Sequence, residues 1–246
     1  MVRFYRQRSR IIGVVGSPLL FWFFIGSGLG SSFRHPSSEG GMNYLEYFFP
    51  GTLVLIVLFT SIFSTISIIE DRQAGFLQAV IVSPVSRTGI ALGKILGGTA
   101  LSLLQAVILL LIMPFLGIPV SILSVLLTIA ILALISFGLT GLGFLFAWRM
   151  DSTQGFHAIM NLFLIPLWLL SGALFPSSGA AGWLGRIMTI NPLSYGIDAL
   201  RHALYISSTS SSPEPVNFLL ALGITVAFAA ATFAGSVLAI TRSRVL

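Results

Sequence analysis

Cysteine is missing from all 246 residues, and charge is scarce at 8%. Without cysteine there is no disulfide framework and no thiolate metal site. A soluble domain carries roughly a quarter charged residues, so a water-facing surface cannot be built here. The three histidines, His35, His157 and His202, are scattered without the paired spacing of a zinc site. The seven acidic residues all fall outside the long apolar runs, which leaves those runs without the buried ionisable groups that ion-coupled carriers use. His157 is the nearest substitute, and a lone histidine at a helix end reads first as an interfacial residue. A phosphate-binding loop also fails. Its pattern needs Gly, four residues, then Gly-Lys-Ser/Thr, and Gly93-Lys94 has Thr88 and Ile95 in the wrong places. Serines are plentiful, but none stands near a base that would make a hydrolase.

What is present is apolar. Hydrophobic residues make up 56% of the chain, and mean hydropathy is +0.99. Continuous rather than alternating apolar runs specify membrane helices, not a barrel. Charge-free intervals of about 20 residues mark the spans. They predict an all-α membrane protein with six transmembrane helices, over 11–33, 47–69, 94–114, 120–148, 156–175 and 216–240. The turn signal Met113-Pro114-Phe115-Leu116-Gly117-Ile118-Pro119 splits the interval between Lys94 and Arg149 into a hairpin. The first span has the basic start of a signal peptide, but its apolar run exceeds the usual 7–15 or so residues. It is expected to remain as a span.

The formal charge of +6 could signal nucleic acid. The cations instead flank apolar runs, so no nucleic-acid partner is expected. Arg3, Arg6, Arg8, Arg10, Arg72, Arg87, Lys94, Arg149, Arg242 and Arg244 fall on one side of a six-span topology. Arg34, Arg186 and Arg201 fall on the other. Ten against three puts both termini in the cytoplasm.

Two connections are more than loops. Residues 70–86, cytoplasmic in this topology, carry Phe76, Leu77, Val80 and Ile81 at helical spacing before Pro84, the pattern of an amphipathic helix. Residues 177–205, external, are too apolar for a free loop and too interrupted to span. They predict a re-entrant helical hairpin between the fifth and sixth spans. Asn191 would cap its second helix, Pro192 would open it, and Asp198 would pair with Arg201. Glycine repeats at Gly89, Gly93 and Gly97 and a cluster at Gly138, Gly141 and Gly143 allow close helix approach, within the chain or between subunits.

These residues resemble a known family. Glu70-Asp71-Arg72-Gln73-Ala74-Gly75-Phe76-Leu77-Gln78 followed by Val82-Ser83-Pro84-Val85-Ser86-Arg87 looks like the cytoplasmic segment of the type-two ABC transporter permeases. Leu170-Ser171-Gly172-Ala173-Leu174-Phe175-Pro176 resembles the end of their fifth span. Asn191-Pro192-Leu193-Ser194-Tyr195-Gly196-Ile197-Asp198-Ala199-Leu200-Arg201 is similar to their external segment. The branch is that of drug, polysaccharide and nodulation-factor exporters. Family members carry a longer amphipathic helix before the first span, whereas ten residues precede Ile11 here.

The resemblance implies a permease subunit rather than an enzyme, in a bacterial inner (plasma) membrane. It implies a homodimer with a second permease copy and an ABC ATPase subunit as a separate chain. ATP and Mg would sit on that partner, with no cofactor on this chain. Glu70, Asp71, Arg72, Gly75, Phe76, Leu77 and Arg87 would couple to the ATPase. Phe59, Phe63, Asn161 and Phe163, on the second and fifth spans, would line a path for an apolar, amphipathic or lipid-linked substrate. Asn191, Pro192, Tyr195, Asp198 and Arg201 would form an external gate. The rival expectations are an ATP-independent channel or secondary carrier, a membrane enzyme without a visible catalytic cluster, and a structural scaffold.

Overall fold

The computed structural model describes residues 44–77, 84–116, 120–176, 181–206 and 216–242, with Leu20, Phe23, Phe24, Gly28, Val80 and Ile118 besides. The expected first span, 11–33, lies almost wholly outside the described residues. Within them the chain is helical: α1 (Tyr44–Ser64), α2 (Ile66–Gln73), α3 (Arg87–Leu110), α4 (Ile122–Arg149), α5 (Thr153–Leu169), α6 (Gly182–Ile190), α7 (Pro192–Leu204) and α8 (Phe218–Arg242). A short 3-10 turn, Met113–Leu116, closes the hairpin between α3 and α4, where the Met-Pro-Phe-Leu signal placed it.

Among the described residues, four stretches are long and apolar enough to cross a bilayer: α1 with α2, then α3, α4 and α8. The fifth expected span is shorter than 156–175. Helix α5 has 17 residues, about 26 Å at the usual rise against a hydrocarbon core of about 30 Å. The chain turns at Leu170–Phe175 because Gly172 adopts φ +78°, a conformation open to glycine at no steric cost.

Helix α4 is the hub. It packs against α1, α3, α7 and α8, as befits a helix that is apolar on every side. Its small residues set the approach distances. A Cβ on Gly138 would stand 2.8 Å from the Phe228 ring, one on Gly141 2.8 Å from Thr232, and one on Gly143 2.9 Å from Thr65. This glycine cluster therefore serves packing within the chain. The repeat Gly89, Gly93 and Gly97 does not: a Cβ at Gly93 or Gly97 meets nothing within 4 Å, and one at Gly89 meets only Ser86 and Val85. The neighbour Gly98 does the packing on α3, against Ser64 of α1 and Thr140 of α4.

Several polar groups in this core pair with one another, as lipid favours. The hydroxyls of Ser61, Ser136 and Ser102 form a chain across α1, α4 and α3, and Thr60 donates to the Gln105 carbonyl oxygen at 2.5 Å. The outward faces are apolar, with Leu96 and Ile108 on α3, Leu162 and Ile165 on α5, and Leu219 and Leu238 on α8 exposed. Exposed large apolar residues along several helices mark a lipid-facing surface.

Candidate functional site: a coupling tip and an outer cavity

At one end of the bundle, the helix of α1 continues past a kink at Thr65 into α2, which carries Glu70, Asp71 and Arg72 in its last turns. The expected amphipathic helix over 70–86 is thus not continuous. It breaks at Gly75, whose φ of +72° reverses the chain, and Phe76, Leu77 and Val80 are helical beyond it. Residues 78, 79 and 81–83 lie outside the described residues. The reason is local: Ile66–Ile69 still pack as part of the span, and only glycine accepts the left-handed turn that ends it.

The charged residues here hold the bundle together. Arg72 donates to Asp151 at 2.9 Å and to the backbone carbonyls of Met150 and Trp148, beyond and within the last turn of α4. Its guanidinium also lies 5.6 Å from the Trp148 ring. Such a cation satisfies orphan carbonyls and complements the helix dipole. Arg87 donates to the Ile240 carbonyl near the end of α8 at 2.8 Å. Asp71 pairs with Lys94 on α3. Glu70, Gly75 and Phe76 stay exposed, with Phe76 59% exposed, while Leu77 is buried. Of the seven expected coupling residues, three form an exposed tip, Asp71 and Arg72 tie that tip to α3 and α4, and Arg87 ties the start of α3 to α8.

At the opposite end, Asn191 joins two helices. Its carbonyl oxygen accepts from Leu193 N–H, capping α7, with Pro192 in the first turn. Its amide donates to Leu167 O at 2.7 Å and Leu170 O at 2.9 Å, two carbonyls left over where α5 stops. The cap and the proline stand where the sequence placed them. Arg201, only 1% exposed, lies 3.8 Å from Asp198, donates to Gly172 O at 2.8 Å, and stacks 4.2 Å over the Tyr47 ring. The expected Asp198–Arg201 pair is present, and Arg201 is buried where α7 meets α1. Tyr195 donates to Thr189 O, closing α6 onto α7.

Aromatic residues that sequence reasoning passed over complete this end. Pro50 inside α1 has no N–H for the Glu46 carbonyl, and the Tyr205 hydroxyl supplies the missing donor at 3.0 Å. Burial, reinforced by Glu46 and opposed by Arg201, raises the Tyr205 pKa, so the hydroxyl stays a donor. Tyr47 donates to Gly172 O, Tyr44 to Leu174 O, and Trp168 to Gly51 O. The available signal was a cluster of aromatics with polar tips near span ends.

The four expected path residues divide. Phe163, with Leu162, Pro166, Ile187 and Ile190, lines an open, mainly apolar cavity of about 390 Å³ that also reaches Asn191 and Pro192. One path residue and two gate residues therefore meet in one place. Phe59 and Phe63 sit elsewhere, tilted against each other at 5.8 Å and, through Phe63, 4.8 Å from the His157 ring of α5. Asn161 is exposed on α5 outside that cavity.

Comparison with known proteins agrees with this geometry. The family model described as ABC-2 type transporter matches residues 1–205. A protein named transport permease ycf38 from Cyanophora paradoxa is 30% identical over 216 residues, covering 85% of this chain and 74% of its own. Nodulation protein J of Rhizobium meliloti is 25% identical, covering 78% and 73%. The Escherichia coli protein named as multidrug ABC transporter permease YbhR is 25% identical, covering 69% and 46%. With a family model over most of its length and apolar helices exposed to lipid, this chain is a membrane protein and belongs to the ABC-2 type transporter family.

Proposed function

We propose that the chain is the membrane-spanning subunit of an ATP-binding-cassette exporter, driven by a separate ATPase subunit that carries ATP and Mg. The carrying observation is the tip at Glu70, Gly75 and Phe76. It is exposed, Asp71 and Arg72 beside it bond directly to α3 and α4, and Arg87 links α3 on to α8. An apolar knob beside a carboxylate suits a groove on a motor protein. A push on it would move three long helices together. Six spans, obtained by adding 11–33 and α5 to the four long stretches, would put both termini and this tip in the cytoplasm.

Two copies would form a homodimer with the path between them. The cavity at Phe163, Asn191 and Pro192 would be its outer mouth, and α6 with α7 its gate. Its apolar lining supports an apolar, amphipathic or lipid-linked substrate, in keeping with the names of the relatives. In proteoliposomes holding the permease and a partner ABC ATPase, efflux of such a substrate should require ATP. A Phe76→Glu variant should lose ATPase co-purification and efflux together, and unaltered efflux would refute the coupling role.

A secondary carrier is the second reading, because the buried Asp198–Arg201 pair is the kind of ionisable group such carriers use. It requires flux driven by a pH or sodium gradient without ATP.

A further inference from the structure

The described cations at the tip end fall into two sets. Arg72, Arg87 and Lys94 each bond a protein oxygen. Arg149, in the last turn of α4, and Arg242, in the last turn of α8, bond none among the described residues. Both instead line one cavity of about 460 Å³ between the two helices, within the roughly 300–1,000 Å³ of small-molecule sites. Below the arginines the cavity is apolar, lined by Leu145, Leu238 and Gly235 with Trp148 beside them. Gly235 keeps the groove open: a Cβ there would crowd the Leu145 tip at 3.3 Å. The groove lies on the lipid-facing side, since Leu238 is 52% exposed.

We propose that this groove binds one anionic phospholipid of the adjacent leaflet, its phosphate between Arg149 and Arg242 and an acyl chain along Leu145, Gly235 and Leu238. A mere response to the helix dipoles would need no cavity. It would direct the guanidiniums onto the last carbonyls, as Arg72 and Arg87 do. Charge and shape together fit an amphiphile with an anionic head, since guanidinium pairs bind phosphate well and basic pockets between membrane helices at an interface take acidic headgroups. The proposal stands on this groove alone and is independent of the transport reading.

The test is native mass spectrometry of the full chain, delipidated in detergent and titrated with phosphatidylglycerol, phosphatidylcholine or water-soluble glycerophosphate. Phosphatidylglycerol should bind at one saturable site, and the other two should not. The double variant Arg149→Gln with Arg242→Gln should weaken that binding roughly twenty- to thirtyfold. A Lys, Lys double variant should keep most of it, which separates lost charge from lost fold. Equal binding of phosphatidylcholine, equal binding of glycerophosphate, or undiminished binding by the Gln, Gln variant would each overturn the proposal.

Discussion

Asn191 has the most to lose by substitution. Asn191→Ala removes the α7 cap, worth about 1 kcal/mol, and strands two carbonyls at the end of α5, each costing about 1–3 kcal/mol if buried. A loss of at least about 3 kcal/mol is expected, read as a lower thermal midpoint in detergent. Tyr205→Phe tests the proline-bridging hydrogen bond at the Glu46 carbonyl, and it should cost about 1 kcal/mol in the same assay. The two residues differ in how far the sequence exposes them. Asn191-Pro192 is a local signal, because cap and proline act within one turn. Tyr205 acts across 159 positions on Glu46, and no periodicity or spacing joins them. The same holds for Arg72 and Asp151. Their types and their place beyond the ends of apolar runs were legible, but not that each cation at this end had already found, or lacked, an oxygen.

Helices were legible where composition alone decides them. The interiors of α3, α4 and α8 are uninterrupted apolar stretches, so their existence followed from lipid as solvent. Their packing glycines were legible only in part. The spacing of Gly89, Gly93 and Gly97 points to a face of α3 that meets no neighbouring helix among the described residues, because a repeat shows where helices can approach, not where a neighbour lies. Gly98 and Gly97 provide the contrast. Gly98→Ala puts a Cβ 2.7 Å from the Thr140 methyl and closer still to Ser64 Oγ, which should cost about 1–3 kcal/mol through overpacking. Gly97→Ala meets nothing and should be neutral or slightly stabilising, by up to about 1 kcal/mol. Parallel thermal melts of the two variants check both. The break at Gly75 was missed for a related reason. The apolar spacing of Phe76 and Leu77 continues smoothly from α2, and only the backbone angle reveals the reversal. Gly75→Ala forces a left-handed conformation costing about 1–3 kcal/mol, and its effect should appear in ATPase coupling more than in stability, because the turn is exposed.

Taken together, the two ends of the bundle differ in what they bind. One end commits Arg72 and Arg87 to α4 and α8 carbonyls and leaves Glu70 and Phe76 exposed. The other buries Arg201 among Tyr47, Asp198 and Gly172 and opens an apolar cavity beside α5. Force applied at the tip would reach that cavity through α1 and α4, since α1 runs from the tip side to the tyrosines that hold the Gly172 turn. The most direct measurement is substrate flux in proteoliposomes containing this chain with and without its ATPase, each with and without ATP. Flux only when the ATPase and ATP are both present, and lost in Phe76→Glu, is the predicted result. Flux at the same rate from the permease alone, insensitive to ATP, would contradict it.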